Sequence, residues 1–144
     1  MDDLLIRELK IEDADSIDRI QKSIVKESDR VDFKRIISEQ TRGSDVAGFA
    51  AELHGKVVGY MISYTLSGGF GIDKSAWIAT FGVDPKYMGQ GIGKNLAKEI
   101  FQYYKRKGIE NIYTSVRWDS TDLLSFFKTL GFDRSNFINL RKII

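Results

Sequence analysis

Three glycines alternate at positions 89, 91 and 93 in the stretch Val83-Asp84-Pro85-Lys86-Tyr87-Met88-Gly89-Gln90-Gly91-Ile92-Gly93-Lys94-Asn95-Leu96. An apolar run, Ala76 to Val83, ends just before the chain's single proline, and an amphipathic segment follows the glycines. The order is strand, glycine-rich turn, helix. The first turn of a helix carries backbone N–H groups without internal partners, and the helix dipole places partial positive charge there. Glycines remove side chains that would keep a phosphate away and tolerate positive φ. This combination is suited to a phosphate or pyrophosphate.

The spacing discriminates between phosphate ligands. The dinucleotide fingerprint G-x-G-x-x-G, started on Gly89 and Gly91, needs a third glycine where Lys94 stands. The P-loop G-x-x-x-x-G-K-[ST] finds its G-K pair in Gly93-Lys94. Met88 then occupies the place of its first glycine and Asn95 that of the Mg²⁺-binding hydroxyl. Both patterns fail. A helix start that is glycine-rich by chance is a poor alternative, because glycine costs about 1 kcal/mol in a helix interior.

Val83-x-Pro85-x-x-x-Gly89-x-Gly91-Ile92-Gly93 resembles the acetyl-CoA loop of the GNAT superfamily of N-acetyltransferases. The family's core pattern, Arg/Gln-x-x-Gly-x-Gly/Ala, falls on Met88, Gly91 and Gly93. A second family signature, a helix ending in Tyr-x-x-x-Gly-Phe, is matched downstream by Leu124-Ser125-Phe126-Phe127-Lys128-Thr129-Leu130-Gly131-Phe132. The resemblance runs from Leu5 to about Phe137. Two departures stand out. Met88 replaces the usual Arg or Gln, which removes one polar contact from a grip made mainly by main-chain amides. Phe127 replaces the tyrosine often assigned to protonating the departing thiolate, so that role must pass to another residue or to water.

Composition narrows the remaining choices. The 144 residues fit one domain, here taken as residues 1–144, and 42% are hydrophobic, enough for a sizeable core. Twenty-two basic against 20 acidic residues give a net charge of +2, without the strong basic excess of a nucleic-acid binder. The sequence has no cysteine, which excludes disulfides, thiolate metal sites and a covalent acetyl-cysteine route. Its one histidine, His54, lies in the turn Leu53-His54-Gly55-Lys56, so a His-rich metal site is also excluded and no metal is expected. No apolar run approaches the ~20 residues of a membrane helix. The acidic start Met1-Asp2-Asp3 is unlike a signal peptide, so a cytoplasmic protein is expected.

The elements that must position the turn follow from periodicity. Leu4 to Leu9 reads as a strand. Glu12 to Ile24 places Ala14, Ile17, Ile20 and Ile24 on one helical face, and Val31 to Ile37 suggests a second helix. Thr41 to Asp45 reads as a loop and Ser67 to Gly71 as a turn. Ala47–Leu53 and Lys56–Leu66 form a hairpin, and Ala76–Val83 is a strand in which Gly82 marks a bulge or a close backbone approach. Ile92 to Tyr104 is the main helix, closed by Lys105-Arg106-Lys107 and a C-terminal Gly108. Ile109–Val116 is a strand, and Ser120–Leu130 a helix capped by Asp119 or Ser120. Phe132–Leu140 is expected to return as a final strand or strands. The fold class is α/β: a mostly antiparallel sheet with one parallel pair joined by a right-handed crossover, flanked by about four helices.

The resemblance implies that the parallel strands separate past Val83 and Val116 and that the pantetheine arm of acetyl-CoA bonds there to Phe81, Gly82 and Val83. Met88, Gly89, Gln90, Gly91, Ile92, Gly93 and Lys94 would hold the pyrophosphate. Lys86 and Lys94 are candidates for phosphate charge, or ordinary solvated lysines. Leu123, Phe126 and Phe127 would wall the thioester, or simply pack the core. Catalysis would be direct transfer of acetyl to a primary amine of a protein or small molecule, with backbone amides stabilising the developing oxyanion. The strand Ala76–Val83 lacks the carboxylate the family often uses as base. An acid must come from elsewhere, with Asp73, Glu27 and Asp119 as candidates and Asp119 equally suited to capping a helix. Tyr60, Tyr64 and Tyr113 could supply a hydroxyl. Trp118 is read either as an acceptor contact or as a core residue. A non-catalytic CoA-binding or sensing module is the alternative function, and an unrelated phosphate-binding domain the third. No nucleic-acid or membrane partner is expected. A homodimer is common in the family, although nothing in the sequence fixes an interface.

Overall fold

The structure, a computed structural model, describes residues 3–24, 32–41, 45–67 and 74–144, without the side chains of 39–41. Glu27, Val31, Asp73 and most of the loops expected at 41–45 and 67–71 lie outside the described residues.

Among the described residues five strands form one sheet in sequence order: β1 (Leu4–Glu8), β2 (Val46–Leu53), β3 (Lys56–Leu66), β4 (Ser75–Val83) and β5 (Ile112–Thr114). The first four pair antiparallel, and β4 with β5 is the parallel pair. The helices are α1 (Ala14–Ile24), entered through a 3-10 turn at Ile11–Asp13, α2 (Phe33–Thr41), α3 (Ile92–Arg106) and α4 (Thr121–Thr129). His54 and Gly55 both take positive φ, 50° and 79°. That backbone matches the twist of the flanking strands and closes the β2–β3 hairpin in two residues.

Consecutive residues of β3 alternate between two cores. Tyr60 and Ile62 join Leu9, Ile17, Ile20, Phe33 and Ile37 beneath α1 and α2. Met61, between them, joins Ile78, Leu96, Ile100, Tyr104 and Phe127 beneath α3 and α4. Strand period and helix period therefore present matching apolar faces on both sides of one sheet. Each fully buried aliphatic side chain contributes roughly 1.5–3 kcal/mol. Gly82 is explained by a close approach: a Cβ there would lie 2.8 Å from Cε1 of Tyr60, whose ring crosses the strand.

Two polar networks pin the layers. Tyr104 donates to Ser63 Oγ (2.7 Å), which donates to the Ala47 carbonyl (2.7 Å), tying α3 to the sheet. Burial pushes the Tyr104 hydroxyl up to about 12, so it remains a donor. At the other end, Arg7 grips Asp13 with two hydrogen bonds of 2.8 and 2.9 Å and reaches Glu52, while the Lys10 amide donates to Asp13 (2.7 Å).

Two expectations need correction. The strand expected over Ile109–Val116 is only Ile112–Thr114, because β4 begins at Ser75, so pairing starts at Ala76 with Ile112, and it offers a partner only as far as Ile78. Phe132–Leu140 forms no strand; the tail lies beside β5 through side-chain contacts, and no backbone hydrogen bond joins the two among the described residues.

Burial raises the Asp13 carboxyl, but the Arg7 and Lys10 hydrogen bonds outweigh it and the net shift is downward. A lowered folded value contributes stability above the unfolded carboxylate range that is lost as pH falls through the folded value. Asp13→Asn should therefore destabilise the protein by roughly 2–3 kcal/mol near neutrality. The gap from wild type, measured by urea unfolding, should close below about pH 4. A gap that persists unchanged in acid would contradict this.

Candidate functional site

β4 and β5 pair through Ala76↔Ile112, Trp77↔Tyr113 and Ile78↔Thr114, and then part. The cause is local. Ile62 faces Thr80 while its neighbour Ser63 faces Ile78, so Ala79 is an extra residue that bends β4 away. Thr114 Oγ1 donates to the Ile78 carbonyl (3.0 Å) at the last paired position, satisfying an acceptor as the ladder stops. The strands thus separate earlier than the expected Val83 and Val116. Between them opens a cleft of about 200 Å³, walled by Ala79, Thr80 and Phe81 on one side and by Ser115, Val116, Leu123 and Phe127 on the other. From Ala79 to Val83, β4 keeps β3 on one edge, while its other edge lacks the strand partner it had earlier.

The glycine turn stands at the end of β4, entered through a 3-10 turn at Pro85–Tyr87 whose start is fixed by Asp84 Oδ1 accepting from the Lys86 amide (3.0 Å). Gly91 is the N-cap of α3 with φ 81°, a left-handed backbone that favours glycine. The first helical bond runs from the Asn95 amide to the Gly91 carbonyl (3.0 Å). The amides of Ile92, Gly93 and Lys94 precede it, so they have no intrahelical acceptor. Met88, Gly89, Gln90, Gly91 and Lys94 are solvent-exposed, whereas Ile92 and Gly93 are buried. Lys86 is exposed on the same loop, and Lys56 reaches over the ring of Tyr87 at 5.7 Å. A helix start with amides lacking intrahelical acceptors, a helix dipole and nearby lysines are the features that suit an anion.

Gly93 answers to a different demand. A Cβ there would sit 3.0 Å from Phe81 Cε2 and 3.1 Å from Phe126 Cε1 and Cζ. Phe81 and Phe126 stack at 4.8 Å, nearly parallel, with Phe127 edge-on to both. The strand, the start of α3 and α4 therefore meet at one glycine. Phe127 is 6% exposed and brings no hydroxyl to the cleft.

The remaining candidates spread out. Asp119 is held by Arg117 through two 3.0 Å hydrogen bonds, which lower its carboxyl, and it does not line the cleft. The N-cap of α4 is Ser120, without a side-chain cap bond. Tyr60 is buried with its hydroxyl 3.5 Å from Thr80 Oγ1, and burial raises its pKa, so it stays neutral. Tyr64 pairs with Trp77 across the strands, and Tyr113 stacks on the same Trp77 at 4.8 Å. Trp118 is 86% exposed, which removes the reading of it as a core residue. Sequence reasoning passed over Thr80, Thr114 and Ser115, the hydroxyls that line the cleft. Serine and threonine are common in strands, and only the bulge at Ala79 brings these three to an opening. Among the described residues no group of acids and histidines could hold a metal ion, and no helix is long and apolar enough to cross a membrane.

Comparison with known proteins matches residues 11–132 to the acetyltransferase (GNAT) family model. The chain is 35% identical over 98 residues to the N-alpha-acetyltransferase RimI of Mycobacterium tuberculosis, a match spanning 61% of this chain and 60% of that protein. It is 30% identical over 89 residues to the mycothiol acetyltransferase of Amycolatopsis mediterranei, spanning 60% of this chain and 30% of that one. The folds of two solved structures superpose closely. An aminoglycoside acetyltransferase from an uncultured soil metagenomic sample, in complex with sisomicin, gives a TM-score of 0.80 at 22% identity, covering 99% of this chain and 97% of that one. The aminoglycoside N-acetyltransferase AAC(6')-Iy in complex with CoA gives 0.81 at 15% identity, covering 97% and 94%.

Substitution at the two constrained glycines tests the geometry. Gly91→Ala should cost about 1–2 kcal/mol from left-handed strain, and Gly93→Ala about 1–3 kcal/mol from overpacking against the rings. Both should weaken pyrophosphate binding measured by calorimetry. Unchanged denaturation midpoints and unchanged affinity in both variants would contradict the arrangement.

Proposed function

The chain belongs to the acetyltransferase (GNAT) family, and we propose that it transfers acetyl from acetyl-CoA directly to a primary amine. One observation carries this reading: the opening between β4 and β5 and the amide-rich start of α3 lie at the same end of β4. Ligands of parallel strands bind beyond their C-terminal ends, where a helix begins.

The residues fit such a co-substrate. Main-chain amides from Gly89 to Lys94 would take its diphosphate, the Met88 amide already donating to the Pro85 carbonyl, with Gly89 and Gly91 keeping side chains out of the way. The free edge of β4 at Phe81, Gly82 and Val83 would bond its extended arm like an added strand. Leu123, Phe126 and Phe127 would exclude water from the thioester. Bound acetyl-CoA supplies the activated acetyl group. The neutral amine attacks the carbonyl carbon; a C–N bond forms, the C–S bond breaks, and the products are an amide and a free thiol. The amine's proton leaves through water, and water returns one to the thiolate, because Phe127 has none to give.

A second reading, a CoA-binding or sensing module without turnover, is favoured by that same Phe127 and by an Asp119 already engaged by Arg117. Calorimetry and thiol release separate the two. Acetyl-CoA should bind more tightly than ATP. Release with an α-amine acceptor should rise with pH through its pKa of about 8, since only the neutral amine attacks. Binding without release against a broad amine panel would establish the sensing role, and tighter ATP binding would overturn both readings.

Trp118, standing free at the exit of β5, is proposed to contact the acceptor. Trp118→Ala should leave the acetyl-CoA Kd and the Tm unchanged and raise the acceptor KM several-fold. A parallel loss of Tm and of acetyl-CoA affinity would show a structural role instead.

A further inference from the structure

Two different faces of β4 meet at the cleft. Phe81 turns towards α3 and α4, where it stacks on Phe126 with Phe127 edge-on. Thr80 and Gly82 turn the other way, towards α1 and α2. A Cβ on Gly82 would meet Tyr60 and Ile24, and Thr80 Oγ1 lies 3.5 Å from the Tyr60 hydroxyl. We propose that Thr80 accepts a hydrogen bond from the attacking amine, and that Tyr60 holds the Thr80 hydroxyl in the orientation this needs. The proposal rests on the acetyl-transfer reading and adds to it the side chain that aims the nucleophile.

Reach gives the first reason. On the acetyl-transfer reading the diphosphate sits at residues 89–94, and the extended arm runs back along β4 past Val83, Gly82 and Phe81. The next position on the strand is Thr80, which lines the cleft, so the acetyl group comes level with it. The α3 and α4 side of the opening is filled by the rings of Phe81, Phe126 and Phe127. With Leu123 they offer a polar amine no side-chain hydrogen bond. The amine is therefore drawn to the opposite face, which Thr80 shares with Tyr60.

The matching of donors to acceptors gives the second reason. Tyr60 is 1% exposed, and among the described residues its hydroxyl has Thr80 Oγ1 as its one hydrogen-bond partner. A buried O–H needs an acceptor, so Tyr60 donates and Thr80 accepts. Burial raises the pKa of the Tyr60 hydroxyl, so the proton stays in place through the neutral range. Thr80 keeps one lone pair and its own O–H for whatever enters the cleft. The other two hydroxyls there are engaged: Thr114 donates to the Ile78 carbonyl, and Ser115 accepts from Asn139. A lone pair fixed in direction takes one amine N–H and leaves the nitrogen's own lone pair to face the thioester carbon. As the C–N bond forms, the nitrogen becomes cationic and its N–H a stronger donor. The hydrogen bond to Thr80 is then tighter in the transition state than in the ground state, the condition for accelerating the step. Thr80 itself takes no proton. The amine's proton leaves through water, the C–S bond breaks, and water protonates the thiolate.

Calorimetry on the full chain with two CoA thioethers tests this without turnover. S-(2-aminoethyl)-CoA carries an amine just beyond the sulfur, and S-propyl-CoA has a methyl group in its place. The ratio of their Kd values, propyl over aminoethyl, should be about fivefold or more greater in the wild type than in Thr80→Val. Thr80→Ser, which keeps the hydroxyl, should retain the wild-type ratio. The Kd of CoA itself should be the same in all three proteins. Thr80→Val also strands the Tyr60 hydroxyl, so its Tm should fall; adding Tyr60→Phe should restore the Tm but not the ratio. With saturating acetyl-CoA and butylamine as acceptor, Thr80→Val should lower the kcat/KM of thiol release about tenfold or more. Tyr60→Phe should lower it about threefold in the wild type and no further in Thr80→Val, the signature of two groups acting as one. A ratio unmoved by Thr80→Val, or losses that follow the Tm and return with it in the double variant, would overturn the role of Thr80 while leaving acetyl transfer intact. No thiol release from butylamine or any other primary amine would strike the acetyl-transfer reading itself and the role of Thr80 with it.

Discussion

The separation of β4 from β5 is the constraint on which the site depends. A parallel pair that stayed zipped to its ends would bury its own main-chain groups and leave nothing for a ligand. Here one inserted residue, Ala79, turns β4 away after three paired positions. The cost of ending the ladder is limited because Thr114 satisfies the Ile78 carbonyl at the fork, and an unpaired buried carbonyl would cost a few kcal/mol. A sheet edge inside the protein is thereby made available without an orphaned acceptor at its origin.

Rigid support for that opening comes from both faces. On one, Tyr60 lies across Gly82 and locks β3 to β4 against α1 and α2. On the other, the Phe81–Phe126 stack fills the space that Gly93 leaves empty and binds the start of α3 to α4. The amides that would grip an anion are consequently fixed to the strand that would hold the rest of the ligand. Interiors are packed closely enough that a single methylene at Gly93 would be felt at both.

The local grammar of the chain made much of this readable. The glycine spacing, the proline before it and the amphipathic stretch after it located the turn and α3, because those features obey short-range backbone rules. β3 and the β2–β3 hairpin were equally legible from apolar alternation around His54-Gly55. What escaped was decided by pairing between distant segments. Ile109–Val116 has strand composition throughout, yet only Ile112–Thr114 finds a partner, since β4 begins at Ser75 and turns away after Ile78. The tail's apolar residues suggested a strand, yet Phe137 and Asn139 meet β5 by side chains alone. Asp119 looked available because its neighbour's guanidinium, two residues away, is not visible as a partner until the loop is folded. Ser115 had no signal of its own; its meaning comes from the fork beside it.

The account's central claim is that the amides of residues 89–94 and the free edge of β4 form one ligand site. Backbone amide chemical shifts, followed by NMR while CoA is titrated, test it most directly. The largest changes should fall on Gly89 to Lys94, on Phe81 to Val83 and on Ser115 and Val116, all saturating with one dissociation constant. Changes concentrated elsewhere, with the turn and the fork unmoved at saturation, would contradict it.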